Sequence, residues 1–163
     1  MHLTDLCHNL IPVPADAGVV PVYGLAVDSR KVGVGDVFFA VAGSHSDGRD
    51  FIADAVKAGA VTVITDDRPF NDGPLDIGSV GIPVLHSSNP RQVMALMAAR
   101  FWPAQPSMVA AVTGTNGKTS TAEFLRQLWQ RVSWRAVAMG TLGVTGTDKL
   151  NVCLLYTSPS PRD

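Results

Sequence analysis

The chain has 163 residues, of which 46% are hydrophobic and 17% are charged, and its formal net charge at pH 7 is −1. This balance excludes a broad electrostatic attraction to nucleic acid or to an anionic membrane, and no apolar run approaches the roughly 18 residues of a membrane helix. Residues 1–5 lack the basic and apolar regions of a signal peptide, so we expect a cytoplasmic protein. Cys7 and Cys153 lie far apart and in no metal-type spacing, which argues against a disulfide or a zinc site.

The first hundred residues predict strands that alternate with helices. The strand-length apolar runs cover residues 23–27, 37–41, 60–65 and 83–85. Asp50 is a candidate N-cap for a helix that Gly59 ends, and Asn89 followed by Pro90 predicts the start of a second helix. The apolar face of this second helix comprises Val93, Met94, Leu96, Met97 and Phe101. We interpret its two methionines as core filler, and residues 66–81 as a loop.

Two prolines within residues 102–106 break the helical pattern and mark a candidate domain boundary. Beyond it the order is a strand over residues 108–112, a glycine-containing loop over 114–119, a helix and a second strand over 136–139. The apolar face of that helix comprises Ala122, Phe124, Leu125, Leu128 and Trp129. A strand, a helix and a strand in this order form a βαβ unit, so we expect the two strands to be parallel.

The loop before this last helix gives the clearest indication of function. Its residues 113–120 have the sequence TGTNGKTS. A strand delivers the segment and a helix leaves it, which is the setting of a phosphate-binding loop. Successive backbone N–H groups and the helix N-terminus favour an anion there, and Gly114 and Gly117 allow close approach. Lys118 is placed to reach the β- and γ-phosphates of a nucleotide, and the hydroxyl of Thr119 is a candidate Mg²⁺ ligand.

The segment departs from the general phosphate-loop pattern, since Val112 stands where that pattern has its first glycine and the glycine stands at position 114 instead. A glycine-rich turn that only caps the helix is the structural alternative, but it does not explain a lysine at a strand-to-helix junction. We therefore predict a nucleotide site in which Lys118 is the catalytic residue. The predicted nucleotide-binding residues are Gly114, Thr115, Asn116, Gly117, Lys118, Thr119 and Ser120.

The TGTNGKTS segment resembles the ATP loop of the Mur ligases, which build the peptide stem of peptidoglycan. Residues 24–30 (GLAVDSR) and 35–38 (GDVF) look like that family's DSR and GDLF segments, and residues 43–51 (GSHSDGRDF) look like its DGRDF segment. Residues 140–143 (GTLG) resemble the strand end after the ATP-loop helix. The resemblance covers residues 22–147 and implies an α/β fold, in which a small N-terminal α/β sugar-nucleotide domain precedes the start of a P-loop parallel-sheet ATPase domain.

By this resemblance, residues 1–102 form the UDP-sugar-binding domain and residues 107–151 begin the central ATP-binding domain. Residues 152–163 do not continue the family pattern, and their Ser/Pro composition resembles a linker or translated adaptor DNA, so we interpret them as a non-native tail. Family members also use later metal ligands, a modified lysine and a C-terminal domain. We therefore expect this chain to be a fragment that does not catalyse ligation alone.

The dipeptide-adding branch of the family shares the DSR and GDLF features, but its ATP loop usually differs from GTNGKT, so we favour the branch that adds the third residue. That branch uses ATP and Mg²⁺ to convert a carboxylate of UDP-N-acetylmuramoyl-L-Ala-D-Glu into an acyl phosphate, which the amine of a diamino acid attacks. The resemblance implies that Val27 and Ser29 touch the uridine end. It also implies a sugar-nucleotide pocket lined by Ser44, His45 and Ser46, and we expect a monomer.

Other interpretations stay open at the level of sequence. For Ser29 the structural alternative is a turn cap, and for Asp28 and Arg30 it is an ion pair. A GTPase or another P-loop switch would need downstream base-reading motifs, and none follows the loop in this sequence. A sugar-nucleotide-binding module without chemistry is a further alternative. A folylpolyglutamate-type ligase should lack the DSR and DGRDF segments, which this chain has.

Overall fold

The computed structural model describes residues 1–15, 17–43, 46–67, 81–141 and 143–146. The chain divides into two compact units, Met1–Gln105 and Pro106–Asp163. Most of the loop predicted over residues 66–81, and all of the tail predicted over residues 152–163, lie outside the described residues. None of the helices in the described part of the chain is long and apolar enough to span a membrane.

The first unit is built on a four-stranded parallel sheet, in which the strands lie side by side in chain order. The strands are β1 (Gly24–Ala26), β2 (Asp36–Ala40), β3 (Thr62–Thr65) and β4 (Val84–His86). The four strands predicted from apolar runs are thereby confirmed. Phe38 lies between Ala26 and Val63 in the register. Because all strands are parallel, their carboxyl ends lie along one edge of the sheet, where ligands bind in open α/β folds.

The described part of the unit also contains helices before, between and after these strands. They are α1 (Leu3–Cys7), which precedes β1, α2 (Ile52–Ala58), which lies between β2 and β3, and α3 (Pro90–Phe101), which follows β4, with 3₁₀ helices at Ser29–Lys31 and Gly48–Phe51. The side chain of Asn89 caps α3 by accepting the N–H of Gln92 at 3.1 Å, and Pro90 occupies the first turn. Gly59 ends α2 with a φ of 109°, a left-handed conformation that glycine adopts freely. The predicted cap at Asn89 and helix end at Gly59 are therefore confirmed.

The predicted N-cap at Asp50 is wrong, because a 3₁₀ helix precedes α2 and includes Asp50. The cap is Asp47, whose carboxylate accepts the N–H of Arg49 at 3.0 Å. The residue before α2 is Phe51, which makes no side-chain capping bond. Both aspartates have a side chain suited to capping, and Asp47 takes the role because its carboxylate also pairs with the guanidinium of Arg49.

The core of the first unit lies around the two central strands. Residues 37–40 of β2 are at most 1% exposed, and Val63 and Ile64 of β3 are fully buried. On one face, α2 packs against the sheet through a cluster of Phe38, Ala40, Ile52, Ala55, Ala60 and Val63. In α3, Met94 and Met97 are buried, which confirms them as core filler. Leu96 is 43% exposed, so its predicted place on the apolar face of α3 is wrong.

The second unit contains α4 (Lys118–Arg131), β5 (Val137–Gly140) and β6 (Gly143–Gly146), and the two strands pair antiparallel. The helix and the strand predicted over residues 136–139 are confirmed. The strand predicted over residues 108–112 is wrong, and the expected parallel pair with it, because the structure assigns no strand there. A strand exists only through backbone hydrogen bonds to a neighbour. The neighbour of β5 is β6, which begins at Gly143, where φ is 80°.

Candidate functional site

The loop before α4 has the backbone geometry of an anion site. Gly114 has a φ of 143° and Gly117 a φ of 78°, and Gly117 forms the N-cap of the 14-residue helix. The N–H of Thr121 donates to the carbonyl of Gly117 at 2.9 Å, which starts the helical bonding. The first N–H groups of a helix have no partner within it and carry the positive end of its dipole. The loop and α4 therefore place several N–H donors at one end of the helix.

Lys118 lies over this loop. Its Nζ donates to the carbonyl oxygen of Gly114 at 2.7 Å and lies 3.5 Å from that of Thr115. The structure thus brings the lysine ammonium to the loop that also presents the helix N-terminus. This arrangement of a cation and N–H donors suits a chain of phosphate groups. The predicted residues from Gly114 to Ser120 lie together, and their binding role stays a prediction.

The Thr119 hydroxyl lies 3.5 Å from the hydroxyl of Thr141, which directly follows β5. Sequence reasoning did not select Thr141 as a site residue, although it lies in the GTLG segment. No group of three or more His, Cys, Asp or Glu side chains suited to a metal occurs among the described residues. Mg²⁺ commonly takes one or two protein ligands and completes its shell with water and substrate phosphates. A single threonine hydroxyl beside the glycine-containing loop before α4 fits that kind of site.

Glu123, one turn further along α4, has a structural role. Its carboxylate accepts hydrogen bonds from Arg126 and from Gln127, which lower its pKa to about 2. The hydroxyl of Thr145 in β6 also donates to it at 3.1 Å. Because the carboxylate stays ionised and engaged, it ties α4 to the strand pair and is poorly suited to accept a proton in a reaction.

The segment after β1 holds Val27 and Ser29 at the carboxyl edge of the first sheet. Asp28 accepts the N–H of Arg30 at 3.1 Å and pairs with its guanidinium at 2.8 Å. These bonds to Arg30 lower the pKa of Asp28 to about 2. The structural interpretation of Asp28 and Arg30 as an ion pair is therefore confirmed. The cap of the 3₁₀ helix is Asp28, so the alternative of Ser29 as a cap is wrong, and Ser29 is its partly exposed first residue.

At the same edge, two backbone contacts after β2 close a turn whose described residues are Ala42, Gly43, Ser46 and Asp47. Ala42 and Asp47 form an isolated antiparallel bridge, and the N–H of Gly43 donates to the carbonyl of Ser46 at 2.8 Å. Ser46 is exposed, whereas the predicted residues Ser44 and His45 lie outside the described residues. A Cβ on Gly48 would lie 2.5 Å from the carbonyl oxygen of Val41, so the chain can return past β2 only with glycine there.

A buried ion-pair network supports this turn. Arg49 is 7% exposed and Asp66, at the end of β3, is 8% exposed. The guanidinium of Arg49 contacts Asp47 at 2.5 Å and Asp66 at 3.3 Å. The hydrogen bond with Asp47 raises the pKa of Arg49. A buried charge is tolerated only with such partners, so the network fixes the turn to the end of β3.

A cavity of about 740 Å³ opens beside the turn, at the carboxyl ends of β2, β3 and β4. Its lining residues are Val41, Ala42, Asp66, Asp67, Ser88, Asn89, Pro90 and Arg91. Sequence reasoning did not select Arg91, whose Nη2 donates to the carbonyl of Ala42 at 2.6 Å. The available signal was its place directly after the Asn-Pro start of α3, where a side chain faces the sheet edge.

Comparison with known proteins places the chain in a family. A model described as the Mur ligase family catalytic domain matches residues 21–102, and one described as the Mur ligase middle domain matches residues 112–158. The first match alone covers half of the chain, so this protein belongs to the Mur ligase family. The resemblance found in the ATP loop and in the DSR and DGRDF segments is thereby confirmed.

Two relatives and one solved structure carry the same enzyme name. The chain is 45% identical over 161 residues to UDP-N-acetylmuramoyl-L-alanyl-D-glutamate–2,6-diaminopimelate ligase of Bradyrhizobium diazoefficiens, covering 99% of this chain and 31% of that protein. It is 48% identical over 139 residues to the enzyme of that name from Zymomonas mobilis, covering 85% and 27%. A solved structure of a ligase with this name superposes with a TM-score of 0.70 at 27% identity, covering 92% and 29%. The chain thus spans about 30% of the length of the relatives it matches.

Proposed function

We propose that this chain is the sugar-nucleotide-binding and ATP-binding part of a ligase that extends the peptide stem of a peptidoglycan precursor. The proposed reaction joins a diamino acid, 2,6-diaminopimelate in the names of the relatives, to UDP-N-acetylmuramoyl-L-alanyl-D-glutamate. The observation that carries the proposal is the loop before α4. There, Gly114, Gly117 and Lys118 surround the N-terminus of the helix.

The chemistry of the proposed reaction explains why such a loop is needed. ATP phosphorylates the substrate carboxylate, and the diamino acid's amine then displaces phosphate from the acyl phosphate. Several negatively charged oxygens meet in both steps, so a site with fixed positive groups stabilises the transition states. We assign the γ-phosphate to Lys118 and the loop N–H groups. Mg²⁺ bound with ATP would be held by the Thr119 hydroxyl and would add positive charge there.

The sugar nucleotide is proposed to bind at the carboxyl edge of the sheet in the first unit. This edge carries Val27, Ser29 and Ser46, and we include Ser44 and His45 on the sequence alone. Ligands of open parallel sheets bind outside the carboxyl ends of the strands. Short hydroxyl side chains and backbone groups there are suited to hydrogen bonds with a uracil or a diphosphate.

Calorimetric titration of the chain with Mg·ATP tests the proposed nucleotide site. We expect saturable binding that Lys118→Ala weakens at least about tenfold, because a charge-assisted contact to phosphate is lost. Lys57→Ala is the matched control, since Lys57 is an exposed lysine on α2, in the other unit. Unchanged affinity in Lys118→Ala would contradict the assignment of the loop. Equal or tighter binding of Mg·GTP would favour a P-loop switch instead.

A further inference from the structure

The turn between Ala42 and Asp47 carries Ser46, a proposed substrate contact. Its two ends are joined by the bridge between Ala42 and Asp47 and by the hydrogen bond from Gly43 to Ser46. These two contacts tie the backbone of Ser46 to that of Ala42 and Gly43. The position of Ser46 at the sheet edge therefore depends on the side chains that hold Ala42 and Asp47.

An arginine holds each end of this turn. At the far end, Arg49 pairs with Asp47 and Asp66, and its own side chain is nearly closed to solvent. At the near end, Arg91 donates to the carbonyl of Ala42 at 2.6 Å. Arg91 is exposed, so it can be replaced without opening the core. Removal of Arg49 would therefore destabilise the fold more than removal of Arg91.

The backbone around Arg91 is held by several hydrogen bonds. The N–H of Ser87 donates to the carbonyl of Thr65 at 2.9 Å, and the N–H of Asn89 donates to the hydroxyl of Ser87 at 3.1 Å. The Asn89 side chain then caps α3 through the N–H of Gln92. These bonds connect the end of β3, the segment after β4 and the start of α3. The backbone that carries the Arg91 side chain is therefore fixed relative to the end of β3.

We propose that Arg91 is a positioning residue for the sugar-nucleotide substrate, because it holds the turn that presents Ser46. This inference rests on the proposed function, which places the substrate against that turn. Without the bond from Arg91 to Ala42, Ser46 would be held in its binding position for a smaller fraction of the time. The apparent Kd then rises as the binding-competent fraction falls. Because the bond from Arg91 to Ala42 comes from a charged donor at an exposed position, its loss makes about a fivefold rise in Kd the expected effect.

The test is calorimetric titration of the full chain with UDP-N-acetylmuramoyl-L-Ala-D-Glu, in wild type, Arg91→Ala and Arg91→Lys. We expect the Kd to rise about fivefold in Arg91→Ala and less in Arg91→Lys, which keeps a charged donor group. Arg100→Ala is the matched control. Arg100 lies on the same helix, about 13 Å further along, and donates to the carbonyls of Leu6 and His8 at 2.9 and 2.7 Å. It should lower the melting temperature and leave the Kd within about twofold.

The possible outcomes distinguish a failure of this inference from a failure of the proposed function. No binding by a folded wild-type chain would overturn the proposed function, and this inference with it. Binding that Arg91→Ala leaves unchanged, or that Arg100→Ala weakens equally, would overturn the inference alone. Titrations at about 0.05 M and 0.5 M salt separate positioning from a direct ion pair with the diphosphate, which salt screens. A loss in Arg91→Ala of the same size at both salt concentrations supports positioning, and one that shrinks with salt contradicts it.

Discussion

An aspartate followed two residues later by an arginine has the same local structure at both places where the sequence analysis selected this spacing. Asp28 and Asp47 each cap a 3₁₀ helix by accepting the N–H of that arginine, and each also pairs with its guanidinium. The environments differ, because Arg30 is exposed whereas Arg49 is buried and reaches a second aspartate. Exposed pairs contribute little to stability, while removing one partner of a buried pair is costly. The two motifs therefore share a geometry and differ in how much each contributes to the stability of the fold.

The exposed pair predicts a pH-dependent effect of Asp28→Asn. Asparagine caps about as well as aspartate, so the substitution removes mainly the charge. The pKa of Asp28 is lowered from 3.8 to about 2 by Arg30, so the ion pair stabilises the fold above pH 3.8 and ceases to do so as the pH falls through about 2. Asp28→Asn should lower the free energy of unfolding at pH 6 by at most about 1 kcal/mol.

Urea denaturation of wild type and Asp28→Asn at pH 6 and at about pH 3 measures this difference. The difference should be smaller at the lower pH, and Arg30→Gln should behave in the same way because it removes the same pair. A difference between wild type and Asp28→Asn that stays constant across the two pH values would contradict the assigned pKa.

Side chains were predictable from the sequence where a local rule decides the structure. Asn89 before Pro90, and Gly59 after an apolar helical run, follow capping preferences that need no tertiary contact. The choice between Asp47 and Asp50 could not be made in this way, because both have the same capping chemistry. It depends on Arg49 and on its pairing with Asp66, at the end of the following strand. Arg91 went unselected for the same reason, since its partner is a backbone carbonyl distant in sequence.

At the scale of the element, the end of α2 gives a test of local backbone geometry. Gly59 has a φ of 109°, and a Cβ there would lie 2.9 Å from both Cα and Cγ2 of Val34. Gly59→Ala should therefore lower the free energy of unfolding by about 2 kcal/mol or more, through backbone strain and the clash together. Gly81→Ala is the matched control, with a φ of 72° and no atom of the described residues within 4 Å of the added Cβ.

Urea denaturation compares the two glycine variants. Gly81→Ala should cost about 1 kcal/mol, which is the strain of the left-handed conformation alone. The excess in Gly59→Ala then reports the contact with Val34. Equal losses in the two variants would show that the chain relaxes around the added methyl group at Gly59.

Strands differ in how far the sequence alone defines them. The runs that became β2 and β3 are continuous and mainly apolar, and the run of β3 is rich in β-branched residues. Both strands are central in the sheet, with a neighbour on each side. Residues 108–112 have a similar composition but form no strand in the described structure, because pairing is a property of two segments. In the same unit, Phe124 and Leu128 on the apolar face of α4 are 64% and 60% exposed. The hydrophobic pattern predicted the helix correctly, but not the burial of its face.

At the scale of the whole molecule, recognition has to be local. The net charge of −1 provides no long-range attraction for an anionic substrate. The first unit offers the sheet edge with its cavity, and the second offers the loop at the start of α4, which is the proposed nucleotide site. The sequence predicted both places through motifs of short range. It did not predict the cavity, because that space is formed by three separate strand ends that meet only in the fold.

The central claim is that the first unit binds the sugar nucleotide, and calorimetric titration with UDP-N-acetylmuramoyl-L-Ala-D-Glu tests it most directly. We expect saturable binding that Ser29→Ala and Ser46→Ala each weaken about fivefold, through loss of a hydrogen bond to the ligand. Ser107→Ala, at an exposed serine in the other unit, should have no effect. The proposed sugar-nucleotide site would be contradicted by a chain that does not bind this ligand, although circular dichroism shows it to be folded and it still binds Mg·ATP.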